Sequence, residues 1–182
     1  MLEGKLVRLR AYRREDIEKA LEYINDPEVK KYLVRGIPFP WQREDEEKWY
    51  QNLNPFSINS YSFAIEKLSS GEYIGGCGIN KIDWKNSVAE VGIFLGRSRW
   101  NQGYGTDAMR ILVGFIFDEM NINKIKLHTY SFNERAKRVY EKEGFKVEGI
   151  LRQELFREGK YHDIIVMGLL RSEWRDFIEI NP

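Results

Sequence analysis

Along this chain, apolar and polar residues alternate in some runs and recur at intervals of three and four in others. Near the start, Leu6, Arg8 and Arg10 alternate with Lys5, Val7 and Leu9, which predicts a short first strand. After Arg14-Glu15-Asp16, the residues Ile17, Ala20, Leu21 and Ile24 fall at helical offsets and predict an amphipathic helix. Asn25-Asp26-Pro27 caps a further helical turn, with proline in its first turn. Gly36-Ile37-Pro38-Phe39-Pro40 is a rigid loop ahead of Trp41, and 43–53 is helical with an acidic start. Strands are predicted at 60–68, 73–82 and 88–95, joined by Ser69-Ser70-Gly71-Glu72 and Trp84-Lys85-Asn86-Ser87. Such short turns make the three strands an antiparallel meander. Gly75, Gly76 and Gly78 inside the second of these strands mark a bulge or a close backbone approach.

A central helix at 103–120 follows, with Ala108, Ile111, Leu112, Phe115 and Ile116 as its apolar stripe. A strand at 124–130 leads to a helix at 133–143 that stops at Gly144, a suitable residue just past a helix end. Residues 145–156 and 161–170 pair as a hairpin across Arg157-Glu158-Gly159-Lys160. The order β, α-α, β-β-β, α, β, α, β-β predicts an α+β fold, a single domain over 1–182 with about seven strands and no repeat or linker.

Composition narrows the function classes. A net charge of +1 argues against a general nucleic-acid binder. Cys77 is the only cysteine, so no internal disulfide forms, and His128 and His162 have no zinc-ligand spacing. No metal is expected. The first residues contain no apolar run of the signal-peptide kind, and the most apolar stretch, 111–117, is far short of the ~20 residues of a membrane span. The expected location is cytoplasmic, with no membrane partner.

Two constellations carry chemistry. Gly103-Tyr104-Gly105-Thr106-Asp107-Ala108 opens the central helix, where glycine lets backbone N–H groups approach an anion closely. A dinucleotide fold is a poor explanation. The preceding strand ends near Leu95, several residues before Gly103, the earlier strands form a meander, and no acidic residue lies between Met120 and Asn133. The second constellation is Asn133-Glu134-Arg135-Ala136-Lys137-Arg138-Val139-Tyr140, continuing to Gly144-Phe145. Asn133 and Tyr140 are two helical turns apart, roughly 10 Å along an axis, with the small Ala136 between them.

Together these resemble the GNAT superfamily of acyl-CoA N-acetyltransferases. Its signature places Gly-x-Gly/Ala at a strand–loop–helix junction and then Asn-x-x-Ala-x-x-x-Tyr-x-x-x-Gly-Phe, which Gly103, Gly105, Asn133, Ala136, Tyr140, Gly144 and Phe145 match. The chain departs at the first signature position, Trp100, where the family usually has Gln or Arg. Tryptophan there resembles the branch that includes ribosomal-protein N-terminal acetyltransferases. The resemblance implies a mixed, mostly antiparallel sheet with splayed central strands, flanked by helices. It also implies acetyl-CoA as cosubstrate, its pyrophosphate on the amides of Gln102, Gly103, Tyr104, Gly105 and Thr106. Pantetheine would lie along Ile93, Phe94 and Leu95, beside Asn133, Ala136 and Tyr140. A backbone N–H at Ile93 or Phe94 would polarise the thioester, and Tyr140 would protonate the leaving thiolate. Glu90, 13 residues before Gly103, is the base candidate, directly or through water. Arg97, Arg99, Arg135, Lys137 and Arg138 could add charge near the 3′-phosphate.

The acceptor is a small-molecule or peptide amine, held by the loop 33–41 and the hairpin near 155–162, with Tyr32, Phe39, Trp41 and Tyr161 as candidate walls. A protein N-terminal or similar α-amine is the first expectation, because the loop Leu33-Val34-Arg35-Gly36-Ile37 has no acid to hold a polyamine. A spermidine-type polyamine is the alternative, with Glu44, Asp45, Glu46 and Glu47 as its acidic cluster. A non-catalytic CoA-binding regulatory module is the reading from another class, and an intact Tyr140 speaks against it. Similar families are commonly homodimers.

Overall fold

Val7–Arg10 forms strand β1, and its alternation divides the chemistry between two faces. Val7 and Leu9 are buried in the main core. Arg8 and Arg10 turn to the other face, where both pair with the buried carboxylate of Glu66. Arg10 also grips Asp16 with two nitrogens, at 2.7 and 2.9 Å. The computed structural model describes residues 2–33 and 36–180, with side chains to residue 176. Val34 and Arg35, part of the loop invoked above, lie outside the described residues.

The strands β2 (Tyr61–Lys67), β3 (Tyr73–Asp83), β4 (Val88–Leu95), β5 (Lys124–Tyr130), β6 (Lys146–Arg157) and β7 (Lys160–Leu170) complete one sheet. Its order is β1-β2-β3-β4-β5-β7-β6. Every neighbouring pair is antiparallel except β4–β5, which is parallel. The last hairpin turns through Glu158 and Gly159, both at positive φ (51° and 75°), as a two-residue turn of this handedness requires.

Helix α1 (Asp16–Asn25) packs Ala20 and Tyr23 on one face of the sheet with Ala64 and Tyr73, beside α2 (Pro27–Leu33) and α3 (Arg43–Gln51). Helix α4 (Tyr104–Glu119) packs with the other core, and α5 (Glu134–Lys142) lies beside it. The buried stripe of α4 is Ala108, Met109, Leu112, Val113, Ile116 and Phe117. That differs from the expected stripe. Ile111 and Phe115 are only partly buried, and Phe115 meets Phe63 edge-on at 5.5 Å. A fully apolar run such as 111–117 leaves the facing stripe open, and the sheet chose it. A sixth helix, α6 (Arg171–Ile180), was not anticipated. It is tied back by Arg171, which donates to the carbonyls of Asn123 and Ile122, and by buried Trp174, 6.5 Å from the Phe117 ring. No helix among the described residues is long and apolar enough to cross a membrane.

Candidate active site

The parallel pairing of β4 with β5 covers only Val88–Glu90 against Lys124–Lys126. Beyond Glu90 the two strands part, leaving the far edge of β4 open. The direction of its backbone groups follows from two hydrogen bonds. Gly96 N donates to Ile74 O on β3, at 3.0 Å, whereas Leu95 O accepts from Trp100 Nε1, at 2.9 Å, on the opposite side. Successive residues of a strand alternate in this respect. Ile93 therefore directs its N–H into the opening, and Phe94 directs its own toward β3. Of the two expected polarising amides, Ile93 is the one available. The opening continues into a cavity of about 670 Å³.

The loop before α4 is shaped for an anion. Asn101 and Gly103 have positive φ, 59° and 84°, which turns successive N–H groups toward one point. Gly103 is the N-cap, and no side chain caps the helix. The N–H groups of Tyr104, Gly105 and Thr106 thus lack intrahelical acceptors at the positive end of the helix dipole. The one acid of this turn, Asp107, is committed elsewhere. It accepts from the backbone N–H groups of Lys5, Leu6 and Val7 at 3.0, 2.7 and 2.9 Å. Gln102 uses its amide on Ser98 O at 2.7 Å, so it offers the loop its backbone. The Tyr104 ring is turned into the core, and only its backbone faces this chemistry.

On α5 the expected track is altered at its first member. Asn133 is not inside the helix: it is the N-cap, and its side-chain oxygen accepts from Ala136 N at 3.2 Å. Asn133, Ala136 and Tyr140 nevertheless all line the cavity. Burial pushes the Tyr140 phenol up to about 12, with the nearby Arg135 cation pulling the other way. The phenol has no hydrogen-bond partner among the described residues, and its ring packs 6.0 Å from Phe145.

The five cations divide. Arg135 stacks on Trp100, 3.3 Å from the ring centroid and 5.1 Å from that of Tyr32, so it belongs to the cavity wall beside Tyr140. Arg138 lines the cavity together with Lys142, which sequence reasoning had not named. Arg99 also lines it but is paired to Glu72 at 2.5 Å. Arg97 and Lys137 do not line it, and Lys137 lies 3.9 Å from Glu141.

At the other end Glu90 meets β5. Its carboxylate oxygens lie 3.3 Å from His128 Nδ1 and 3.6 Å from Lys126 Nζ. Sequence reasoning missed His128 as a site residue, having weighed it only as a metal ligand. Strand alternation puts Lys126 and His128 on one face of β5, but only the register Glu90↔Lys126 brings that face to Glu90. Tyr12 and Trp49, packed edge-to-face at 4.9 Å, form a wall that was also unforeseen. Of the four expected acceptor walls only Tyr32 lines the cavity. Phe39 and Tyr161 are exposed, and the Trp41 backbone is pinned to Asn25. Cys77 lines the cavity but is buried, and burial pushes its thiol far up, away from the reactive thiolate. The acids of α3 stand outside the cavity lining. Asp45 caps the helix on Gln42 N, Glu47 pairs with Arg43, and Glu46 is buried with one carboxyl oxygen unpartnered.

A family model described as an acetyltransferase (GNAT) domain matches residues 7–146. The chain is 31% identical to the uncharacterized N-acetyltransferase p20 of Bacillus licheniformis, over 91% of this chain and 93% of that protein. It is also 31% identical to YdaF of Bacillus subtilis strain 168, named as a candidate ribosomal N-acetyltransferase, over 93% of this chain and 86% of that one. The crystal structure of spermidine N-acetyltransferase from Vibrio cholerae, in complex with CoA and spermine, superposes with a TM-score of 0.84 at 25% identity, covering 93% of this chain and 98% of that chain. An uncapped helix N-terminus for the pyrophosphate, an open β4 edge for pantetheine and a buried phenol at the end of the track fit the cosubstrate that this fold carries. With the family model spanning most of its length, this chain belongs to the GNAT acetyltransferase family and is an acetyl-CoA-dependent N-acetyltransferase.

Proposed function

We propose that the acceptor is the α-amine of a protein or peptide N-terminus. The observation that carries this reading is electrostatic. Among the described residues, Glu90 is the only carboxylate that lines the cavity. A peptide terminus brings one cation and meets one carboxylate. A polyamine brings several cations, and each one buried without a partner costs free energy. None of the α3 acids lines the cavity: Asp45 caps its helix, Glu47 pairs with Arg43, Glu46 is buried, and Glu44 is exposed at the helix start.

In this reading the Ile93 N–H donates to the oxygen of the acetyl carbonyl and stabilises the charge that develops there as the amine nitrogen attacks. Glu90, with His128 against it, takes the proton that the amine must lose, directly or through water. As the C–S bond breaks, Tyr140 gives its phenolic proton to the departing sulfur. The backbone amides from Gln102 to Thr106 hold the pyrophosphate, and Arg138 and Lys142 supply charge to the remaining phosphate. An α-amine has an ordinary pKa near ~7.7–8.0, against ~10.4 for a primary alkyl amine, so Glu90 has modest work to do at neutral pH.

The similarity to a spermidine enzyme keeps a polyamine as the second reading. The test is kcat/KM for N-terminal peptides and for spermidine, followed by thiol release between pH 7 and 8.5. Peptides are expected to outcompete spermidine throughout. Efficient spermidine turnover without peptide turnover reverses the ranking. The Glu90→Gln variant is expected to lose more at pH 7 than at pH 8.5, as the α-amine deprotonates unaided.

A further inference from the structure

The pairing of β3 with β4 is irregular beside Glu90. Between β3 and β4 the register runs Ile79↔Val91 and then Lys81↔Glu90, so Asn80 is the extra residue of a β-bulge. A bulge re-aims a side chain, and such bulges concentrate next to active sites. Here the result is specific. A Cβ built on Gly92 would lie 2.9 Å from Asn80 Nδ2, so the carboxamide lies over Gly92 on the face that carries Glu90. Asn80 is exposed and lines the cavity, and its side chain makes no hydrogen bond to another described residue. An amide offering a donor and an acceptor one residue from the catalytic carboxylate is matched to a peptide group, which offers the same pair.

The floor beyond it continues the pattern. Gly92 pairs with Gly78, and Gly78 with Ser62, so one row across β4, β3 and β2 carries no side chain larger than a hydroxymethyl. The row next to it is closed: the Tyr12 hydroxyl lies over Gly76, with the Phe94 ring beside it. Three strands at about 4.8 Å spacing give a track of roughly 10 Å, the length of three extended residues. At its far end β2 is unpaired, because β1 pairs only with Ala64 to Lys67.

We infer, resting on the α-amine reading above, that this row is the seat of the acceptor peptide. Asn80 holds the first peptide group, so that the terminal amine meets Glu90. The following residues run extended from the Asn80 amide, which covers Gly92, over Gly78 and Ser62 to the free edge of β2. Charge favours this occupant. The row has no charged side chain, which suits a neutral backbone and leaves a second or third ammonium group without a partner.

The experiment compares N-terminal peptides of one to five residues on the intact enzyme. Thiol release gives the rates, and calorimetric titration of the CoA-bound protein gives peptide affinity. In the wild type, kcat/KM is expected to rise with length to about three or four residues and then level. Asn80→Ala is expected to raise KM for peptides about fivefold to tenfold, the loss of one hydrogen bond, with kcat and the KM for acetyl-CoA unchanged. A small amine without a peptide group should be turned over by this variant as by the wild type. Ser62→Trp fills the exposed end of the row, and is expected to remove the gain from length while leaving the shortest acceptors unaffected. If peptides are good substrates and both variants behave as wild type, the track is wrong and the α-amine reading stands. If small amines or spermidine react and peptides neither react nor bind, both are wrong.

Discussion

Replacing Tyr140 with phenylalanine separates a proton donor from a packing residue, because the structure sets the two costs far apart. The phenolic oxygen has no hydrogen-bond partner among the described residues, so its removal breaks no protein contact, and the ring pair with Phe145 at 6.0 Å remains. The fold should hold, with a melting temperature within a few degrees of wild type. The chemical cost is large. With the phenol at about 12, fewer than roughly one molecule in a thousand is ionised at pH 8.5, so the donor is in place throughout the working range. The same shift makes a complete proton transfer to a free thiolate near ~8.5 uphill by about 5 kcal/mol. In the proposed mechanism the phenolic proton must therefore move as the C–S bond breaks and not afterwards. Loss of a general acid costs typically about 10²–10⁴-fold. Tyr140→Phe is expected to lower kcat by at least ~100-fold, with the dissociation constant for CoA within about twofold of wild type. Thiol release under saturating acetyl-CoA gives kcat, and calorimetry gives the affinity. In the wild type, the rate should show no fall assignable to this phenol up to pH 10, where an unshifted tyrosine would be half ionised. A folded Tyr140→Phe enzyme with turnover within threefold of wild type would refute the assignment and leave Tyr140 to packing.

Two further substitutions test the cofactor loop and the buried acid. Gly105→Ala places a methyl group 3.6 Å from Leu95 Cδ1, an ordinary contact, and should stabilise α4 by up to about 1 kcal/mol. If the loop seats the pyrophosphate, the same methyl should weaken CoA at least tenfold by calorimetry; unchanged affinity in a stabilised protein argues for another seat. Burial raises Glu46 from the usual 4.5 to about 7, so its ionisation opposes folding: stability present below pH 4.5 is lost as the pH rises through 7. Glu46→Gln should flatten urea-denaturation stability across that window and add at most about 3 kcal/mol at pH 8, whereas an unchanged pH slope would mean that Glu46 is not the source.

Local geometry was legible from the residues alone. The alternation of Val7 and Leu9 with Arg8 and Arg10 settles which residues of β1 enter the core, because a strand places neighbours on opposite faces. The glycine pair at 103 and 105 marks a helix start that can take an anion, and the intervals from Asn133 through Ala136 to Tyr140 mark one side of a helix. These follow from backbone geometry within a few residues, and the order of elements follows from turn lengths. Where packing had to choose, the same reasoning was less complete. The apolar run in α4 left its buried stripe open, and Asn133 became a cap because its side chain found Ala136 N at the helix end.

Contacts across the sheet came from the packing of the folded chain. Glu90 and His128 lie far apart in the chain, and the β4–β5 register brings them to 3.3 Å. The choice of Ile93 over Phe94 rests on which β4 amides β3 leaves unpaired. Arg135 is a candidate phosphate ligand until Trp100 is seen beneath it. The acids of α3 look like a polyamine cluster until the helix packs Glu46 inward and engages Asp45 and Glu47. Asn80 is an ordinary strand residue until the bulge turns its amide over Gly92. Periodicity assigns a residue to a face, but strand register, bulges and helix docking choose its neighbours, and these are set by the packing of the whole chain.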